Sequence, residues 1–91
     1  MAVEGNCVPT FKPHVKFRFD ERRDQWLVLA PERMLVPDEI SVEILKLVDG
    51  ARSLDRIVDN LAEAYQAPRA EIFGDVSDLI DDLNEKGVLQ L

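Results

Sequence analysis

The sequence predicts an α+β fold of the winged helix-turn-helix type, with a three-stranded antiparallel sheet followed by three helices. Three observations carry this reading. Apolar and charged residues alternate after Val15, the apolar period lengthens to 3.6 from Asp38 onward, and proline and glycine punctuate the joints between segments. Ninety-one residues make one domain, because a chain this short buries only about two thirds of its unfolded surface and supports a single core.

The first fourteen residues mix Gly5, Asn6, Pro9 and Pro13 without any period, so residues 1–14 are expected to form a flexible tail and residues 15–91 the folded domain. From Val15 to Phe19 the side chains alternate, with Val15, Phe17 and Phe19 on one side and Lys16 and Arg18 on the other, as in a half-buried strand. The charged run Asp20 to Asp24 forms a turn, and Trp26 to Leu29 form a second, more apolar strand that completes a hairpin. Pro31 and Glu32 turn the chain again before a short third strand, Met34 to Val36. Pro37 ends that strand because it lacks an amide donor.

Ile40, Ile44, Leu45, Leu47 and Val48 then share a helical face, which predicts a first helix over 38–48 with Asp38 as N-cap and Gly50 as the left-handed residue beyond its end. Ser53 caps a second helix whose buried stripe is Leu54, Ile57, Val58, Leu61, Ala62 and Tyr65. Pro68 suits the first turn of a third helix, whose stripe Ile72, Val76, Leu79, Ile80 and Leu83 runs toward Gly87. Gly74 within it signals either a close approach of another backbone or a loose first turn. Val88 to Leu91 form a short terminal strand.

Composition narrows the function. Hydrophobic residues make up 46% and charged residues 32%, which describes a folded chain with no apolar run approaching the roughly 20 residues that span a bilayer. The start has neither a basic nor an apolar signal region, so a cytoplasmic location is expected, with no membrane partner. Cys7 is the sole cysteine and His14 the sole histidine, which excludes an internal disulfide and leaves no thiolate cluster or histidine pair to hold a metal. Phosphate-cradling glycine loops, Cys-x-x-Cys and nucleophile elbows are missing too. The reading is of a non-enzyme without cofactor or metal.

Charge is uneven along the chain. Residues 1–36 carry six basic and five acidic side chains, whereas the remainder carries five basic and thirteen acidic, for a net charge of −7. An acidic surface repels phosphate backbones, which weighs against the main rival reading, a DNA-binding winged-helix regulator. A recognition helix should point Arg, Lys, Asn or Gln at base edges, but the third helix offers Glu71, Asp75, Asp78, Asp82 and Glu85 along one face. Those carboxylates read as a solvated face rather than a cation site, since hard cations draw ligands from loops or several elements. Trp26 and Tyr65 read as packing residues, and Arg22 and Arg23 as parts of a charged turn.

The segment Asp20-Glu21-Arg22-Arg23-Asp24-Gln25-Trp26-Leu27-Val28-Leu29-Ala30-Pro31-Glu32-Arg33 resembles the N-terminal signature of the PqqD family of pyrroloquinoline quinone (PQQ) biosynthesis. The likeness continues in register through Pro37-Asp38-Glu39-Ile40, Ile44-Leu45, Asp49-Gly50, Ala67-Pro68-Arg69-Ala70-Glu71 and Asp75-Val76, and closes on Leu79, Leu83 and Gly87. No one of these motifs is diagnostic; their joint order and spacing are. The resemblance covers the chain from Val15 to Leu91 and omits Cys7 and His14.

The resemblance implies a winged-helix-like recognition element for ribosomally synthesised, post-translationally modified peptides. It implies a peptide chaperone that binds a PqqA-type precursor and presents it to a PqqE-type radical S-adenosylmethionine enzyme, which cross-links a glutamate and a tyrosine of the precursor. It also implies strand addition: the peptide pairs with the edge of the third strand and lies against the third helix. On this sequence the groove maps onto Met34, Leu35 and Val36 of the strand and onto Val76, Leu79, Ile80 and Leu83 of the helix. For the helix positions, both the groove and the core are open from sequence. A monomer is expected, with pairing of two copies through the free edge left open.

Overall fold

The structure, a computed structural model, describes residues 4–91. Strand β1 spans Thr10–Phe11, β2 Lys16–Asp20, β3 Gln25–Ala30 and β4 Arg33–Leu35; helices α1 (Glu39–Leu45), α2 (Leu54–Tyr65) and α3 (Arg69–Glu85) follow, and β5 spans Leu89–Gln90. The three strands predicted for the sheet are β2, β3 and β4, which form an antiparallel sheet in that order, and the predicted terminal strand is β5, in a separate pair with β1. Asp20 closes the hairpin turn by accepting from the Arg22 amide at 3.0 Å, and Asp24 takes a left-handed φ of 53°.

Register decides which side chains share a face. Phe17, Val28 and Leu35 are cross-strand partners, as are Phe19 and Trp26, so these five share the face on which Val28 enters the core. Trp26 stacks on Phe17 at 4.7 Å and meets Phe19 edge-on at 5.7 Å, with the Lys46 ammonium 5.2 Å from its ring centre. Trp26 is thus a packing residue. The other face carries Lys16, Leu29 and Met34 as one cross-strand row.

Helix ends follow local chemistry. Asp38 accepts from the Ser41 amide at 2.8 Å and Ser53 from the Arg56 amide at 3.2 Å, each a side-chain N-cap worth about 1 kcal/mol in the Ser53 case. At the end of α3, Gly87 has φ 77°; its amide bonds Asn84 and the Val88 amide bonds Leu83, which is a Schellman closure. Arg69 ties α3 to α2, donating from Nε to Asp59 at 2.7 Å and from Nη2 to Asp55 at 2.8 Å. Gly74 has open space around it, so the close backbone approach is ruled out.

Several expectations change. The tail expected over residues 1–14 is packed where it is described: residues 1–3 lie outside the described residues, and from Gly5 onward the segment bonds to α2 and pairs with β5. The Cys7 and Gly5 carbonyls accept from the Leu54 and Asp55 amides at 2.7 and 2.9 Å, satisfying first-turn donors of α2 that Ser53 does not reach. Pro9 is buried, Phe11 stacks on Phe17 at 5.9 Å, and β1 pairs with β5. No local period signals this role, because the segment's backbone partners, on α2 and β5, lie more than forty positions away.

The first helix is shorter than expected. It ends at Leu45, and Leu47 and Val48 bond to Ile44 and Leu45 in tightened turns. Gly50 keeps its left-handed φ of 77° but serves the following turn, where Asp49 accepts from the Ala51 and Arg52 amides. Val42 is buried in place of Ile40. Tyr65, assigned to the buried stripe of α2, is also exposed, for no element covers that end of the helix. The core itself joins Val28 to Ile44, Leu45, Leu54, Ile57, Val58, Val76, Ile80, Val88 and Leu89.

Candidate peptide-binding site

β4 lies at the edge of its sheet, with β3 on one side only. Alternate residues of an edge strand direct their N–H and C=O groups away from the sheet, so β4 offers a template for another strand. It runs only from Arg33 to Leu35. Val36 stays outside the ladder because Pro37 and the Asp38 cap turn the chain into α1 directly after it.

Beside this edge a groove opens between β4 and α3. Its apolar walls are Val28, Leu35, Val36, Leu45, Leu79 and Leu83. The polar residues around it already have partners among the described residues. Asp82 pairs with Lys86 at 2.8 Å, and Asp38 is engaged by the Ser41 amide, a hydrogen bond that holds its carboxyl below the ordinary range. What remains open is apolar surface and a backbone edge. That combination can bind an extended peptide, with register from main-chain hydrogen bonds and selectivity from alternate side chains.

Of the seven residues proposed from sequence, the groove brings together the side chains of Leu35, Val36, Leu79 and Leu83. Met34, 48% exposed, points to the opposite face as the cross-strand partner of Leu29, and its sulfur lies 3.9 Å from an Arg23 nitrogen. It offers the groove only backbone. Ile80 is fully buried in the core. Val76 is 1% exposed and borders a different hollow.

Sequence reasoning missed Val28, Leu45 and the Pro37-Asp38-Ser41 corner of the groove. The hairpin register could have supplied Val28, since aligning the second and third strands about Pro31 and Glu32 sets it opposite Leu35. Among the described residues no group of three or more His, Cys, Asp or Glu side chains could hold a metal ion, and no helix is long and apolar enough to cross a membrane. The acidic side chains Glu71, Asp75, Asp78, Asp82 and Glu85 are exposed along α3.

Comparison with known proteins gives the chain a family. Coenzyme PQQ synthesis protein D (PqqD) is the family matched over residues 25–89. A PqqA binding protein of Rhodopseudomonas palustris (strain HaA2) is 56% identical over 89 residues, covering 98% of this chain and 87% of its own. One from Xanthomonas euvesicatoria is 40% identical and is covered over 97% of its length. The solution NMR structure of the PqqD truncation of Methylobacterium extorquens PqqCD, a stand-alone recognition element for such modified peptides, superposes with a TM-score of 0.82 at 38% identity, over 97% of this chain and 94% of that one. The crystal structure of PqqD from Xanthomonas campestris gives 0.63 at 35% identity, over 98% and 99%. By family match, sequence likeness and fold, the chain belongs to the PqqD family.

Proposed function

We propose that this chain binds a PqqA-type precursor peptide as an added strand at β4, over α3, and presents it to a PqqE-type radical S-adenosylmethionine enzyme without itself catalysing a reaction. The observation that carries this is the free β4 edge running beside an apolar groove whose charged neighbours are already paired. The names of its relatives support the choice of peptide. The chain's own residues bind and position: β4 supplies register through its backbone, and Leu35, Val36 and Leu79 supply contact area for apolar side chains over a floor that includes the buried Leu83. The iron–sulfur chemistry belongs to the partner enzyme.

The acting unit on this reading is a monomer in the cytoplasm, where a ribosomal precursor is made. It extends N-terminal to Val15, because residues 4–14 cap α2 and pair with β5. Calorimetric titration with the PqqA peptide of Rhodopseudomonas palustris tests it. One peptide should bind per chain, and mass spectrometry should find the peptide unaltered after incubation with the protein alone. Absence of binding, or a modified peptide, would overturn the proposal.

A further inference from the structure

The groove beside β4 does not end at Pro37. Past Asp38 and Ser41 it continues as a trough between α1 and α3, over Ile40, Ile44, Asp75 and Leu79. It closes in a hollow where Leu61 and Tyr65 of α2 meet Ile72 and Val76 of α3, and the surface of that hollow is almost wholly apolar.

Two of its residues, Ile40 at 64% and Tyr65 at 56%, are the most exposed large apolar side chains among the described residues. Both were expected in buried stripes, and both are left uncovered at one spot. Carboxylates border the path: Glu43 and Asp75 at the hollow, Asp38, Asp75 and Asp78 along the trough. Glu43 pairs with Lys46 at 3.5 Å, and beyond the trough Asp82 pairs with Lys86 and Asp55 and Asp59 with Arg69. Among the described residues Asp75 and Asp78 enter no ion pair. An apolar hollow approached past the unpaired Asp75 and Asp78 suits an apolar side chain with a cationic neighbour. A second copy of this chain fits poorly, since its own helical surface carries the same negative sign.

We infer that the trough holds a second stretch of the same peptide, seating one bulky apolar side chain between Ile40 and Tyr65 and a Lys or Arg against Asp75 and Asp78. The inference rests on β4 being the pairing edge. From Leu83 at the groove to Ile72 at the hollow, α3 covers about 16 Å at 1.5 Å per residue. An extended peptide crosses that distance in about five residues at roughly 3.3 Å each. The recognised segment is therefore longer than the stretch that pairs with β4, and it is amphipathic and basic where it leaves the strand.

The test is calorimetry with the full-length PqqA peptide of Rhodopseudomonas palustris against four variants checked by circular dichroism. Ile40→Asp changes an exposed position, so the fold is kept, and binding should weaken about tenfold. The double variant Asp75→Asn, Asp78→Asn should weaken it about threefold and flatten its salt dependence, as expected for screened charge pairs. Tyr65→Ser carries the same test as Ile40→Asp should that variant misfold. Leu35→Pro is the reference for the edge. If Ile40→Asp and Tyr65→Ser bind as the parent does while Leu35→Pro does not, the trough inference is overturned and the β4 reading stands. If none of these changes alters binding, both fall.

Discussion

A Leu35→Pro variant should bind the PqqA peptide at least about tenfold more weakly than the parent, a loss of about 1.4 kcal/mol. Proline removes one backbone donor from a strand of only three residues and fixes φ, so the ladder of Val28 with Leu35 and the outward edge are both disturbed. The side chain lost is also one that lines the groove. The fold should survive, because the main core joins the three helices to Val28 and β5 and Leu35 only packs against it. Changing Arg23 to alanine is the matched control. Arg23 is an exposed turn residue paired with Asp20 at 3.6 Å, and pairs of that kind contribute about 0 to 1 kcal/mol. A folded Leu35→Pro protein that binds as tightly as the Arg23→Ala control would remove strand addition from the account.

The second large effect separates groove from core on α3, where neighbouring apolar positions have different duties. Ile80→Ala should cost about 2–5 kcal/mol of stability, since the side chain is fully buried and its removal leaves a cavity. For a domain of this size that corresponds to a fall in melting temperature of roughly 10 °C or more. Peptide affinity measured on the remaining folded protein should match the parent. Leu79→Ala should do the reverse, weakening peptide binding severalfold with a smaller stability loss, because Leu79 is half-buried and lines the groove. Thermal melts and calorimetry on the two variants check both halves. A binding defect in Ile80→Ala with unchanged melting would place that residue in the groove instead.

How much of this was legible in the sequence follows from which signals are local. The hairpin, the short third strand and the three helices are written in period and punctuation, and Asp38, Ser53 and Gly87 mark ends that the structure keeps. The N-terminal segment was misread because its carbonyls find their donors on Leu54 and Asp55, a long-range pairing with no local pattern. Ile40 and Tyr65 were misread for a related reason. An apolar residue at a helical spacing looks buried whether or not an element lies above it, and nothing covers these two.

The candidate site divides along the same line. The family resemblance pointed to the third strand and third helix, but only register shows that Leu35 faces the groove while Met34 faces away. Likewise only packing shows that Leu79 borders the groove, that the buried Leu83 belongs to the core and only floors the groove, and that Ile80 sits wholly in the core. A helix stripe wide enough to cover a core and also wall a groove does not reveal from spacing where one duty ends.

Titrating isotope-labelled protein with the PqqA peptide and following every backbone amide reads out whether the peptide lies along β4 and α3. The largest shifts should fall on Arg33 to Leu35 and on the face of α3 that carries Leu79 and Leu83, with the exposed outer face of α2 little changed. Shifts concentrated on that outer face, around Asn60 and Glu63, with β4 unmoved would contradict it.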